Sequence, residues 1–207
     1  MIIGLDISTS ITGITVLNKD GEIILNEAWD LRKYKDFFQK ADYVSEQIKS
    51  FHKKIELQTE DTPTRRAVGL EKKGPVPAAV PFILDPCRQI DSVYIEQSLQ
   101  SFRSGFSSAK TLSTLSRFNG IVSWMCYESF GIKPKYVAAT SARKTCGIKV
   151  PKGVKAKQVV INYIIDNVPG VPIEYTKHGN PKPQCYDMAD SWVIARAGWL
   201  ECQKIKK

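Results

Sequence analysis

The run Ile2-Ile3-Gly4-Leu5-Asp6-Ile7 constrains this chain more than any other stretch of it. An apolar run interrupted by one acid reads as a buried strand that carries a carboxylate. Side chains alternate along a strand, so Asp6 shares a face with Ile2 and Gly4. Burying that carboxylate unpaired would cost several kcal/mol, so something must compensate it. One compensation is local: Asp6 could cap the following turn with help from Ser8 and Thr9. The other is a functional site.

Residues 11–17 alternate and are β-branched, which predicts a second strand. Asn18-Lys19-Asp20-Gly21 is a turn signal, with glycine where a positive φ is expected, and residues 22–29 return as a third strand. Phe38, Ala41, Val44, Ile48, Phe51 and Ile55 recur at spacings of three and four, which predicts an amphipathic helix over about 35–56. A charged, proline-rich stretch over about 58–90 reads as an insertion. Val93-Tyr94-Ile95-Glu96 is a fourth strand. Ser107 or Ser108 then caps a helix that runs to about Phe130, with Gly131 at its C-terminal cap. Tyr136-Val137-Ala138-Ala139 reads as a short buried fifth strand. Helical pieces follow near 141–146 and 154–167, then a Pro/Gly loop, then a last helix over about 184–203. The order describes an α/β fold: one domain over 1–207, with a five-stranded mixed sheet, its first three strands antiparallel, flanked by helices.

Lys and Arg number 30 against 21 Asp and Glu, a net charge of +9. That sign suits a polyanion such as nucleic acid, or an anionic membrane surface. The five cysteines, Cys87, Cys126, Cys146, Cys185 and Cys202, form no CxxC pair, which argues against a disulfide framework or a zinc ribbon. No apolar stretch approaches the roughly 18–20 residues of a membrane span, and the opening run lacks the form of a signal peptide. The expected location is the cytoplasm or the compartment that holds the DNA, not the secreted space.

Three further acids stand out. Glu96 ends the fourth strand, and Asp187 and Asp190 lie three apart in a helix, on one face. Proximity to a helix N-terminus would be a purely structural reason for the last two. If Asp6, Glu96, Asp187 and Asp190 converge, however, cations must neutralise them, because two unit charges 4 Å apart repel by about 4 kcal/mol near a protein surface. Oxygen-only ligands select hard ions such as Mg²⁺ or Mn²⁺. Such ions can activate water and stabilise the leaving oxygen of a phosphodiester.

These acids sit in motifs that resemble a known family. Gly4-Leu5-Asp6-Ile7-Ser8-Thr9-Ser10-Ile11-Thr12-Gly13 resembles the opening strand–turn–strand of RuvC-type Holliday junction resolvases, which work in DNA recombination and repair. Ile95-Glu96-Gln97 resembles their second acidic motif, and Asp187-Met188-Ala189-Asp190-Ser191 their closing helix motif. The similarity spans most of the chain outside about 58–90. Some members carry histidine where this chain has Asp187, an equally good ligand for a hard metal. The resemblance implies an RNase H-like fold, a homodimer, and Asp6, Glu96, Asp187 and Asp190 as catalytic ligands of two Mg²⁺ ions per site, with Mn²⁺ as substitute. It implies a Mg²⁺-dependent endodeoxyribonuclease that resolves four-way DNA junctions by paired symmetric cuts.

Arg143, Lys144, Lys155 and Lys157 lie in a basic stretch after the fifth strand, suited to phosphate contacts. Lys144 and Lys157 best match the family lysines that approach the DNA backbone. The plain alternative is a solvated charged loop. Phe102, Arg103 and Phe106 follow Glu96, where aromatic rings could stack on unpaired bases of a junction, or pack in the core. Arg65, Arg66, Lys72 and Lys73 add charge in the insertion. His52 is expected to be exposed, and His178 lies in the loop before Asp187. Two other functions remain open: an RNase H-like nuclease for other structured DNA or RNA, and an actin-like kinase or ATPase fragment, whose phosphate hairpin the Gly4-Leu5-Asp6 turn resembles. A non-catalytic DNA-binding module is a third.

Overall fold

The computed structural model of the chain describes residues 1–60, 90–97 and 109–205. Strands β1 (Ile2–Asp6), β2 (Ile11–Leu17) and β3 (Ile23–Asp30) form an antiparallel meander. Gly21 takes the positive φ required at the β2–β3 turn. Helix α1 (Phe37–Glu60) crosses back, and β4 (Ser92–Glu96) pairs in parallel with β1. Helix α2 (Ala109–Phe130) leads to β5 (Lys135–Val137), parallel to β4. The sheet order is β3-β2-β1-β4-β5, the expected five-stranded mixed sheet. Helices α3 (Ala139–Thr145), α4 (Ala156–Asn167) and α5 (Pro183–Ile205) complete the chain.

The alternation of strand side chains divides the core in two. Ile3, Leu5, Ile14, Val16, Val93 and Ile95 meet α1 and α2 on one face. Ile2, Leu17 and Tyr94 meet α5 on the other, with α3 and α4 packed around α5. This second face is lined with small residues. A Cβ added at Gly13 would collide with the carbonyl of Asp187, and one at Gly4 with the backbone of Ala195. Helix α5 therefore lies directly on the sheet backbone. Among the described residues no helix is long and apolar enough to cross a membrane.

Several expectations need correction. Phe38 is 69% exposed, and Phe37 takes the inward place, edge-on to Phe118 at 5.6 Å. The cause is the cap: Asp36 Oδ1 accepts from the backbone N–H groups of Phe38 and Gln39, so the buried stripe runs Phe37, Ala41, Val44, Ile48, Phe51. Helix α1 continues to Glu60, into the stretch expected to be irregular from about 58. The rest of that stretch to residue 89, with Arg65, Arg66, Lys72, Lys73 and Cys87, lies outside the described residues. Strand β5 is not the buried Tyr136–Ala139. It is an edge strand with Tyr136 exposed, and Ala138 already caps α3. His52 is half-buried against the Phe130 ring rather than exposed.

Candidate active site

Strands β1 and β4 are parallel neighbours, and each ends on an acid at the same edge of the sheet. Both Asp6 and Glu96 belong to the face covered by α5. The hydrogen bonds that close the β1–β2 turn come from Ser8 and Thr12. Ser8 Oγ accepts from the backbone N–H groups of Ser10 and Ile11, and Thr12 Oγ1 donates to the Ser8 carbonyl. Lys40 Nζ donates to the Thr9 carbonyl and ties this turn to α1. The Asp6 carboxyl meets Glu96 instead, sharing a hydrogen bond with it.

Helix α5 brings the other two acids. Its first turn holds no acid, because it starts at Pro183 and Asp187 lies in its second turn. The field of a helix N-terminus fades beyond the first turn, so it does not account for an acidic pair at 187 and 190. All four carboxylates line one cavity of about 400 Å³, with Ser8, Ser10, Gln97, Leu115, Asn119, Arg143 and Lys157 on its walls.

The electrostatics match the crowding. Burial, then the charges of Glu96 and Asp190, hold the Asp6 carboxyl well above the ordinary aspartate range. Burial also raises Glu96, against the lowering effect of its hydrogen bond with Asp6 and of Arg143. Asp190 is pushed up to about 6, first by burial, with Lys157 opposing and Glu96 adding to the rise. Burial raises Asp187, opposed by Lys157 and Arg32. Lys157 Nζ lies 3.0 Å from Asp187 Oδ1 and 3.7 Å from Asp190 Oδ2. Burial pulls this ammonium down, but the surrounding carboxylates outweigh it and hold its pKa above the usual lysine value.

The donor set suits a hard cation: four carboxylates with no histidine or cysteine among them. The Lys157 ammonium stands between two of them as a cation of the protein's own. In this arrangement no three His, Cys, Asp or Glu side chains close around one point among the described residues. Asp187 and Asp190 are drawn to Lys157, and Asp6 to Glu96. Side-chain rotation and departure of the ammonium would open the set to an ion.

The basic residues divide. Arg143 and Lys157 face the acids. Lys144 is exposed and lines a neighbouring cavity with Thr140, Gly147 and Lys149, and Lys155 is exposed where α4 begins. Phe102, Arg103 and Phe106 lie outside the described residues. His178 is exposed and does not line the acidic cavity.

Some residues of the site escaped the sequence reading. Arg32, held by Asp30 through paired hydrogen bonds, acts on Asp187, yet it sits in no motif. Asn119 Nδ2 donates to the Glu96 carbonyl at 3.2 Å. Its signal was a polar residue in the buried stripe of α2. Beneath α5, Thr15, Asn26 and Ser191 form a buried polar cluster, each marked only as a polar residue on an apolar face.

No protein-family model matches the chain, and no curated protein matches its sequence. Solved structures do match. Thermus thermophilus RuvC in complex with a Holliday junction substrate superposes with a TM-score of 0.54 at 11% identity, covering 98% of this chain and 94% of that one. A second structure of Thermus thermophilus RuvC gives 0.53 at 12% identity, covering 98% and 95%. The chain has the RuvC fold. That RNase H-like α/β fold and the strand order above agree, while 11–12% identity leaves the residues of the site to be argued from this chain alone. On the RuvC fold of this chain the four acids gather at one end of β1 and β4, under the start of α5.

Proposed function

We propose that the chain is a Mg²⁺-dependent endonuclease that acts on four-way DNA junctions as a homodimer. The observation that carries this reading is the meeting of Asp6, Glu96, Asp187 and Asp190 in one cavity, flanked by Arg143 and Lys157. The RuvC fold and the net charge of +9 support it. Asp6, Glu96, Asp187 and Asp190 would hold two Mg²⁺ ions, with Mn²⁺ as substitute. Bound there, such ions supply Lewis acidity that activates water and neutralises charge on a leaving 3′ oxygen.

The chain's own residues set up that chemistry. Burial and the neighbouring acids favour the neutral form of Asp6, and a cation held by the Asp6–Glu96 pair would favour the anionic form of both. Lys157 must leave Asp187 and Asp190. On its flexible stem the ammonium then moves to a phosphate oxygen, where a lysine serves as a point charge. Arg143 offers a planar fork to the same phosphate group. Asn119 holds the end of β4 through the Glu96 carbonyl and so fixes where Glu96 stands. Lys144 and Lys155, both exposed, extend the basic track for the backbone of the DNA arms. Two such sites related by a two-fold axis would cut opposed strands, which turns a nick into resolution.

Asp6→Asn and Glu96→Gln test the assignment. Both should abolish cleavage of a synthetic junction while leaving its electrophoretic mobility shift intact. Full cleavage by either variant overturns the site. Competition with duplex DNA and structured RNA tests the substrate, and equal cleavage of all three would remove the junction from the reading.

A further inference from the structure

The contact between α5 and the sheet is close at three glycines. Gly4 lies against Ala195, Gly13 against Asp187, and Gly198 against the Tyr94 ring. Where Gly4 and Gly13 meet the helix, the sheet buries area but offers no side chain to stop it from sliding or turning; the large groups on this face, Ile2, Leu17 and Tyr94, are apolar and carry no directional bond to the acid-bearing turn. A slip of one residue along α5 means 1.5 Å and 100°. Either movement would carry Asp187 and Asp190 away from Asp6 and Glu96.

One polar cluster interrupts this surface, at the turn of α5 that bears the two acids. Thr15 on β2 and Asn26 on β3 are register partners. Asn26 Nδ2 donates to Thr15 Oγ1 at 2.6 Å and to the Met188 carbonyl at 3.1 Å. Ser191 Oγ donates to the same carbonyl at 2.8 Å and lies 2.8 Å from Thr15 Oγ1. Each hydroxyl has one hydrogen, so the Thr15 hydroxyl donates to Ser191. All three side chains are buried, and Asn26 Oδ1 has no hydrogen-bond partner among the described residues. Apolar side chains of similar shape would fill the same space at little cost in stability. What they would lose is direction: a connected set of hydrogen bonds fixes one placement of the helix.

We propose that Thr15, Asn26 and Ser191 are positioning residues that lock α5 on the sheet, lengthwise and in rotation, so that Asp187 and Asp190 face Asp6 and Glu96. The inference rests on the nuclease reading for the task those acids perform. The placement itself does not depend on it.

The test uses the full chain with Thr15→Val, Ser191→Ala and the conservative Thr15→Ser. Three quantities are read: amide hydrogen exchange over residues 187–192, Mn²⁺ affinity of the protein without DNA by calorimetry, and kcat and KM for junction cleavage. Thr15→Val and Ser191→Ala should keep a cooperative melt, yet exchange faster over 187–192 than elsewhere. Their Mn²⁺ affinity and kcat should each fall roughly 10–100-fold with KM unchanged, the effect typical of groups that orient metal ligands. Thr15→Ser should restore all three. Wild-type metal affinity and kcat in the folded Val and Ala variants would overturn the proposal. So would a uniform loss of stability with no local change in exchange. If the wild-type chain neither binds Mn²⁺ nor cuts, the nuclease reading fails, and exchange over 187–192 alone then decides the lock.

Discussion

Asp190 concentrates the electrostatic problem of the site. Its carboxyl titrates near 6 in the folded chain and near 3.8 when exposed. Below about pH 3.8 both states hold the proton and the site costs nothing. Between there and pH 6 the unfolded chain loses its proton first, so the metal-free fold loses stability as pH rises. Above 6 the whole cost is present, roughly 2–3 kcal/mol at 1.36 kcal/mol per unit. Asp190→Asn should therefore raise the Tm of metal-free protein at pH 8 by roughly 5 °C and leave it unchanged at pH 3.5, read by calorimetry. A Tm at pH 8 equal to or below the wild-type value would contradict this. Mg²⁺ should raise the wild-type Tm at pH 8, and the rise should shrink as pH falls through the Asp190 value near 6 and that carboxyl takes up its proton. The acids were legible one by one because each sits in a local pattern: a strand end for Asp6 and Glu96, an i, i+3 pair for Asp187 and Asp190. Arg32 and Asn119 were not, because their role depends on which elements the fold sets side by side.

At the scale of elements, periodicity revealed strands and helices but not their last residues. Phe37 and Phe38 are adjacent and equally apolar, and only the hydrogen bonds to Asp36 decide which one points inward. Strand β5 was read as buried from composition, but an edge strand has one neighbour and its apolar side chains can stay in water. The bare glycine surface beneath α5 was also hidden, since a glycine in a strand looks alike whether it serves a bulge or a close approach. Gly13→Ala should cost roughly 1–3 kcal/mol or more, because the added carbon meets the Asp187 backbone, which cannot yield without moving an acid. Gly120→Ala is the contrast. It lies within α2 with open space around it and should gain roughly 0.5–1 kcal/mol from helix propensity. Urea melts of the two variants check both signs, and a stable Gly13→Ala variant would mean that α5 does not rest on β2.

For the whole molecule, the mixed sheet joins the strands that end in acids, and the chain carries a basic excess of +9. Attraction of a polyanion to a chain of this charge should release counterions. Junction affinity should therefore fall steeply, by orders of magnitude between about 50 and 200 mM salt, in a titration followed by fluorescence anisotropy. A flat salt response would exclude a phosphate-tracking surface. The order of elements made this architecture legible in the sequence, whereas the proposed pairing of two copies would depend on surfaces that no residue pattern marked. The most direct measurement is cleavage of a synthetic mobile four-way junction, with Mg²⁺ and with a chelator, the product ends mapped on each strand. Paired cuts at symmetric positions in opposed strands, leaving 3′ hydroxyls, present with Mg²⁺ and absent with chelator, are the expected result. An uncut junction in Mg²⁺, or equal cutting in chelator, would contradict the account.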